Sequence, residues 1–413
     1  MARTKGSKNI PKTSNNLQVL KFDKQIEGSP ITRNSSQGWV NWGVDNLYPN
    51  KLLNLYNESP THRAAINFGV QSIVGAGVSY EESNFDGKEI VPNYTQSWDE
   101  LIRNISLDYL LYGSYAVEVI MNKDGKTLSY YHMPLDKVRW SEYDEDGQIL
   151  NYWISNDWSA TGQYPPFEIE AFDMRPDTKI EKGKPYLYVY RQYSPAMTYY
   201  TQPHYQAGIK AIQSEIEYCN YDNKFVTNGF TSPGVLTVND TENDDEKRAI
   251  IKNIQNLFTG TENANSFAIA FRRSPDEKPV EWTPFSNTNS NVNIYDAANL
   301  RTINRILSAH QINDPQLIGL PNLGATAFNS EGKLLETAYN VYNKVVGNYN
   351  RQCVIKTFNM MLALNGIETE IVMKPLRFDI ENTESTTTDT SKENADINSS
   401  DYNEGNVEEK VEK

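Results

Sequence analysis

The sequence predicts an α+β fold, on three observations. Two long stretches, 205–226 and 293–312, carry apolar residues at steps of three, four and seven, the pattern of helices with one buried face. The stretch from Ser114 to Tyr193 switches to period two and is dense in Tyr and Trp, as half-buried strands are. Between the two helical stretches lies a short strand–helix–strand run. With 413 residues, 38% of them hydrophobic, the chain can build two or three domains or one elongated subunit of several parts.

Charge narrows the function classes. The formal net charge is −14, unevenly placed: the first 33 residues carry seven Lys/Arg against two acids, and the chain from Ile380 onward carries ten acids against three Lys. An acidic body argues against sequence-reading DNA binding, which needs Lys and Arg to displace counterions. It suits a surface that DNA slides past without sticking, and equally a plain solvated surface. No run approaches 18 apolar residues, so no membrane helix is expected. The N-terminus is basic without an apolar core, so no secretory signal is expected. Cys219 and Cys353 lie on apolar-patterned helices and read as small buried hydrophobes in a reducing cytoplasm.

In chain order, residues 1–37 form a polar basic arm without periodicity, expected to be disordered, with contact to nucleic acid or a neighbouring subunit as its functional alternative. Short helices follow. Ser59 before Pro60 is an N-cap with a first-turn proline, Ala64, Ala65, Phe68 and Ser72 give that helix a close-packing side, and Gly75 and Gly77 end it. Ser97 with Glu100 is a capping box opening a helix that turns Leu101, Ile105, Leu111 and Tyr112 inward. A hairpin then bends at Asp124-Gly125, and KVRWSEY, ILNYWISN, FEIEAFDM and KPYLYVYRQY supply further strands.

The first long helix places Tyr205, Ile209, Ile212, Ile216, Cys219 and Val226 on one face and stops at Asn228-Gly229 and Pro233-Gly234. GVLTV is a strand. Thr241 caps a helix whose first turn holds Glu242, Asp244, Asp245 and Glu246, all favourable at the positive helix end. Ile250, Ile251, Ile254, Leu257 and Phe258 form its buried face, and SFAIAFRR and VEWTPF complete a small α/β unit. The second long helix lines up Leu300, Ile303, Leu307 and His310 and ends at Asn313-Asp314-Pro315. A glycine-punctuated loop, LIGLPNLGATAFNSEG, leads to one or two helices over Glu331–Gly366, with Gly347 as the break. ETEIVMKPLRF is a last strand, and the chain from Ile380 reads as a disordered acidic tail.

Taken in this order, the pieces resemble the HK97-like portal proteins of tailed bacteriophages. EIEYCNYDNKFVTNGFTSPGVL is similar to the family's helix, turn and following strand; DDEKRAIIKNIQNLFTG and TENANSFAIAF to its insert; RTINRILSAHQINDPQLIGL to the helix leading to a Pro and a Leu-x-Gly; and ATAFNSEGKLLETAYNVYNKVV to the segment after it. WGVDNLYPNKLLNLYNESPTHRAAINFGVQSIVGAG and YGSYAVEVI are similar to the N-terminal part. The likeness spans roughly Trp42 to Asn365 and rests on the ordered set rather than on one motif.

That resemblance implies a wing over 38–203, stem helices over 204–229 and 291–313, a clip over 230–290, a tunnel loop over 314–332, and C-terminal helices with a wing strand and a small crown over 333–379. The arm (1–37) and the tail (380–413) flank them. It implies a structural subunit without cofactor, metal or catalytic residue, assembled as a dodecameric ring at one capsid vertex of the virion after synthesis in the host cytoplasm. Leu320, Asn322, Leu323, Thr326, Phe328, Asn329 and Lys333 would face the DNA channel. Arg272, Arg273, Glu262 and Asn263 on the clip would meet the terminase large subunit and later the head–tail adaptor. The major capsid and scaffolding proteins and double-stranded DNA, held without sequence specificity, complete the implied partners; no membrane is among them.

A search for chemistry returns little. Gly125-Lys126-Thr127 ends like a Walker A motif, but the position of its first glycine is Ile120, so a hairpin turn is the better reading. The four histidines, His62, His132, His204 and His310, are far apart in sequence and give no local support to a metal site or triad. His310 reads as a packed helix residue. The alternatives are another phage structural protein, such as a connector or minor head protein, or a prophage-encoded enzyme with dispersed catalytic residues. The first lacks the helix–insert–helix–loop order, and the second would need a pocket with converging polar groups.

Overall fold

The computed structural model describes residues 37–80, 91–175, 179–227, 234–239, 244–258, 268–272, 280–284, 288–321, 332–374 and 376. The chain enters through α1 (Tyr48–Glu58) and α2 (Pro60–Val74), joined by a single residue, Ser59. Ser59 Oγ accepts the His62 backbone N–H at 3.2 Å, so the N-cap read from the sequence is formed. Gly75 closes the helix, and β1 (Val78–Tyr80) follows. Next comes α3 (Trp98–Tyr112), whose capping box closes in both directions: Ser97 Oγ accepts from Glu100 N and Glu100 Oε2 accepts from Ser97 N. Leu101, Ile105, Leu111 and Tyr112 are buried, as their spacing predicts.

Six strands then build the main sheet: β2 (Ser114–Met121), β3 (Leu128–Met133), β4 (Val138–Trp140), β5 (Asn151–Ile154), β6 (Phe167–Ala171) and β7 (Pro185–Arg191). Their spatial order is β3-β2-β7-β6-β5-β4, with every pairing antiparallel except β6 with β7. The turn between β2 and β3 is a self-capped hairpin. Asp124 Oδ1 accepts from Lys126 N at 3.0 Å, its Oδ2 accepts from Thr127 Oγ1 at 3.0 Å, and Gly125 sits at φ +67°. These hydrogen bonds, led by that from Lys126 N–H, hold the Asp124 carboxyl below the usual range. The Gly-Lys-Thr string is thus a turn rather than a phosphate cradle.

After β7 the chain passes into α4 (Ile209–Thr227), then β8 (Gly234–Asn239), α5 (Asp244–Phe258), β9 (Ala268–Arg272), β10 (Val280–Pro284) and α6 (Thr288–Ala309). β8 and β9 are parallel with α5 between them, and β10 lies antiparallel on the other side of β8, giving the order β10-β8-β9. The predicted α/β insert is therefore present. Of the expected cap, Thr241 and Glu242 lie outside the described residues, while Asp244, Asp245 and Glu246 do form the first turn of α5.

The last part is α7 (Gly332–Tyr342), a π-helical turn (Asn343–Gly347), α8 (Asn348–Leu364) and β11 (Ile371–Met373), which pairs with β1. Gly347 is not the break that the sequence suggested. Its φ of −60° and ψ of −44° stay helical, and the helix runs on through the π turn. The glycine is needed for closeness instead: a Cβ there would lie 2.6 Å from Ser72 Oγ of α2 and 2.9 Å from Asn343 Oδ1. Arg351 secures the same contact. Its guanidinium donates to the carbonyls of Ser72 (2.6 Å) and Ile73 (3.2 Å), which end α2, and to Asn343 Oδ1 at 2.9 Å.

The core lies between the sheet and the helices α1, α2, α3 and α8. Tyr115 OH donates to Thr357 Oγ1 at 2.8 Å and Tyr130 OH to the Met361 carbonyl at 2.8 Å, so β2 and β3 are pinned to α8. Around Trp42 the packing is aromatic on several sides, with Tyr200 stacked at 4.4 Å and Trp140 tilted at 5.2 Å between ring centroids. Arg139 is fully buried beside them. It donates to the side chain and carbonyl of Asn46 and to the carbonyls of Asp136 and Val138, and it lies 4.7 Å from the Trp158 ring. Burial pushes its pKa down to about 10, which leaves it charged at neutral pH.

Candidate functional site

The stretch that the sequence makes central is the α4/α6 pair with what it carries. The two helices run antiparallel. At one end Gly208, in the 3-10 turn that opens α4, faces Ala309, where an added Cβ would lie 2.5 Å from the alanine Cβ. At the other, Tyr295 OH donates to Asp222 Oδ1 at 2.8 Å and to the Tyr218 carbonyl at 3.2 Å, with the Tyr218 and Tyr295 rings 5.2 Å apart edge to face. The chain leaves α4 into the three-stranded insert and returns from β10 to α6, so the insert is joined to the pair at its Tyr295 end.

Burial along the pair is graded. Ile209, Ile212, Glu215 and Ile216 of α4 are buried, as are Ile306 and Leu307 of α6. From Glu217 to Lys224 no side chain of α4 is buried, and none of the described side chains of α6 before Thr302 is. Tyr205 and the three isoleucines share the face that their spacing predicts. Cys219 does not join them: it is exposed, because the apolar stripe continues past the point where the body ends. Cys353 is half-buried, and the Val226 side chain lies outside the described residues.

Beyond α6 the chain turns through a 3-10 segment, Pro315–Ile318. Asp314 Oδ1 caps it by accepting Gln316 N–H at 2.8 Å, and Gly319 leaves it in the left-handed region at φ +81°. Leu320 is half-buried there, its N–H donating to the Pro315 carbonyl at 3.1 Å. Lys333 is exposed in the first turn of α7. The other expected channel residues, Asn322, Leu323, Thr326, Phe328 and Asn329, lie outside the described residues. On the insert, Arg272 ends β9 opposite Asn239 of β8, while Arg273, Glu262 and Asn263 lie outside them. Where they are described, α5 side chains are mostly exposed, with an Arg248–Asp245 ion pair at 3.7 Å.

One grouping escaped the sequence reading. Three of the four histidines, separated by as many as 248 residues, come together: His62 with His310 at 2.9 Å, and His204 with His310 at 3.1 Å, nitrogen to nitrogen. His310 is a packed residue, as read, but it follows the last residue of α6 and packs on two other histidines. No periodicity could reveal that contact. The fourth, His132, pairs instead with Asp108 at 2.8 Å. Among the described residues no group of three or more His, Cys, Asp or Glu is placed to hold a metal ion, and no helix is long and apolar enough to cross a membrane.

No protein-family model matches the sequence, and no curated protein matches it. Solved structures do match the fold. A chain in the neck of an empty gene transfer agent (GTA) particle, computed with C6 symmetry, aligns over 79% of this chain and 84% of its own at 15% identity, with a TM-score of 0.52. A chain in the neck of the native GTA particle, computed with C12 symmetry, aligns over 79% and 83% at 14% identity and TM-score 0.52. An HK97 family phage portal protein from Corynebacterium diphtheriae aligns more loosely, over 78% and 95% at 9% identity and TM-score 0.45. The chain therefore has the α+β fold of a neck chain of a phage-like particle, in agreement with the resemblance drawn from its sequence.

Proposed function

We propose that this chain is a portal subunit: a structural protein that assembles as a dodecameric ring at the unique vertex of a phage or phage-like capsid. The observation that carries the reading is the α4/α6 pair. It is anchored in the body at one end, bears the β8–α5–β9–β10 insert at the other, turns at Gly319 after α6, and leaves the described side chains of its outer halves unburied. A monomer has no use for such surfaces, whereas in a ring each copy covers its neighbour's. The twelvefold number comes from the resemblance drawn from the sequence; the GTA neck structures of similar fold were computed with C12 and with C6 symmetry.

In this reading the helix pair is the stem, the insert is the clip and the segment after Gly319 is the tunnel loop. Leu320, Asn322, Leu323, Thr326, Phe328, Asn329 and Lys333 face the axial channel, where small and amide side chains let double-stranded DNA pass in packaging and ejection. Arg272, Arg273, Glu262 and Asn263 present the clip to the terminase large subunit, which supplies the ATP hydrolysis, and afterwards to the head–tail adaptor. The ring nucleates the procapsid with the major capsid and scaffolding proteins. The subunit itself performs no chemistry.

The loop assignment is tested by shortening 322–329. Rings should still form, and DNA filling or retention should fall. If the shortened chain cannot assemble, the loop is a subunit contact and the channel assignment is wrong.

A further inference from the structure

Three histidines meet where the α4/α6 pair joins the body. His204 precedes α4, His310 follows α6, and His62 lies in the first turn of α2. His310 shares one hydrogen bond through each ring nitrogen, Nδ1 with His204 Nε2 and Nε2 with His62 Nδ1. Tyr205 seals the group: its ring stacks on His310 at 5.2 Å and stands edge-on to His62 at 4.4 Å and His204 at 5.4 Å. His310 and His62 are buried, and His62 Nε2 has no partner. His204 is exposed and is the solvent end of the chain.

We propose that this imidazole chain is an acid-released latch, closed when the rings are neutral and opened by protonation, that holds the base of the α4/α6 pair onto α2. The geometry limits how many protons the closed chain can hold. Each link needs an N–H on one ring and a lone pair on the next, and three neutral imidazoles supply both links. One added proton leaves both links intact and can sit on exposed His204, whereas on His310 or His62 it is a buried charge. A second sets N–H against N–H at about 3 Å, which like charge also opposes.

The surrounding elements offer little to neutralise such a charge. From α4 comes Glu215, a buried carboxylate whose Oε2 is engaged by the Ser59 hydroxyl. From α1 comes Tyr48, whose OH donates to Gln206 at 2.6 Å. From α3 come Tyr112 and also Asp108, which is held by His132. Arg63 of α2 lies 5.0 Å over the Tyr56 ring, and Lys210 and Arg305 are exposed. Asp314, just past α6, caps Gln316.

Burial, and then the neighbouring imidazoles, depress the rings in the closed state: His62 to about 3, and His310 also downward, from the ordinary 6.5. Burial against its neighbours moves His204 downward as well, though its exposed side lets water screen a charge there. Opening restores ordinary basicity, so the open state binds more protons below pH 6.5. The latch is therefore fully closed above that pH and weakens as pH falls toward the depressed values. With two buried rings charging on release, the opening constant rises up to about a hundredfold per pH unit. This inference does not depend on the portal reading.

The test is hydrogen–deuterium exchange of the full chain between about pH 7.5 and 4.5, corrected for intrinsic rates. Amides over 60–66, 205–212 and 303–312 should lose protection below pH 6.5 before those of α3 and β2 do. Unchanged protection at the latch overturns the proposal, and so does a fall in step with α3 and β2, which marks global acid unfolding. Replacing both buried rings (His62→Phe with His310→Phe) should flatten the dependence to about tenfold per unit or less. Retention of the wild-type slope in that variant also overturns it. If the double variant does not fold, the regional comparison in the wild-type chain decides alone.

Discussion

Between Val40 and Tyr205 aromatic rings are buried against one another, whereas α4 beyond Ile216 and α6 before Thr302 bury no described side chain. The first region, with α8 and β11, closes a core: Tyr200 stacks on Trp42 and stands edge-on to Trp140, and Arg139 finds four hydrogen-bond acceptors beside them. The second is held by a narrow line of contacts from Gly208–Ala309 at its base to Tyr295–Asp222 toward the insert. The body has a buried core of its own to stabilise it. The outer helix pair must draw its stability from something else, and neighbouring copies in a ring are the proposed source.

The largest test of that contrast is in the body. Trp42→Ala empties a fully buried site and should cost about 3–5 kcal/mol in denaturant unfolding. A loss below about 1 kcal/mol means that the region is not the packed unit described here. Next is the base of the pair. Gly208→Val drives a side chain into Ala309 and should cost about 1–3 kcal/mol and splay α4 from α6, seen as lost protection in 205–212. A neutral outcome means that the helices do not approach as closely as drawn.

Smaller again is Tyr295→Phe. It removes one hydroxyl's bonds near solvent and should cost at most about 1 kcal/mol in isolated subunits. A larger loss would place more of the fold's stability in the outer pair than the contrast allows. The smallest effect is kinetic. Cys219 is exposed in the single chain, so a thiol reagent should reach it readily in monomers and more slowly in assembled rings. Equal rates in both states would take this face of α4 out of the subunit contact.

How much the sequence disclosed follows the reach of each interaction. Ser59 with Pro60, Ser97 with Glu100, and Asp124-Gly125 act within four residues, and all three do in the fold what their spacing predicts. The strand–helix–strand insert was legible because period and turn signals are local. The order β3-β2-β7-β6-β5-β4 was not, since the parallel β6–β7 pairing leaves no trace in either strand's own pattern. Gly347 was misread because a glycine chosen for a close helix approach looks the same in sequence as one chosen for a break. Cys219 was misread because an apolar stripe shows which face is sticky without showing where the body beneath it ends. The histidines are the extreme case: His310 meets residues 106 and 248 positions away. Of the candidate channel and clip residues, only Leu320, Lys333 and the backbone of Arg272 fall among the described residues, so their roles rest on the proposal.

The most direct test of the central claim is the mass and symmetry of the purified full-length protein, by native mass spectrometry and electron microscopy of the same sample. The account predicts closed twelve-subunit rings with a central hole, each outer α4/α6 pair covered by its neighbour. A stable monomer or dimer, with the outer pair protected from exchange as well as the body is, would contradict it.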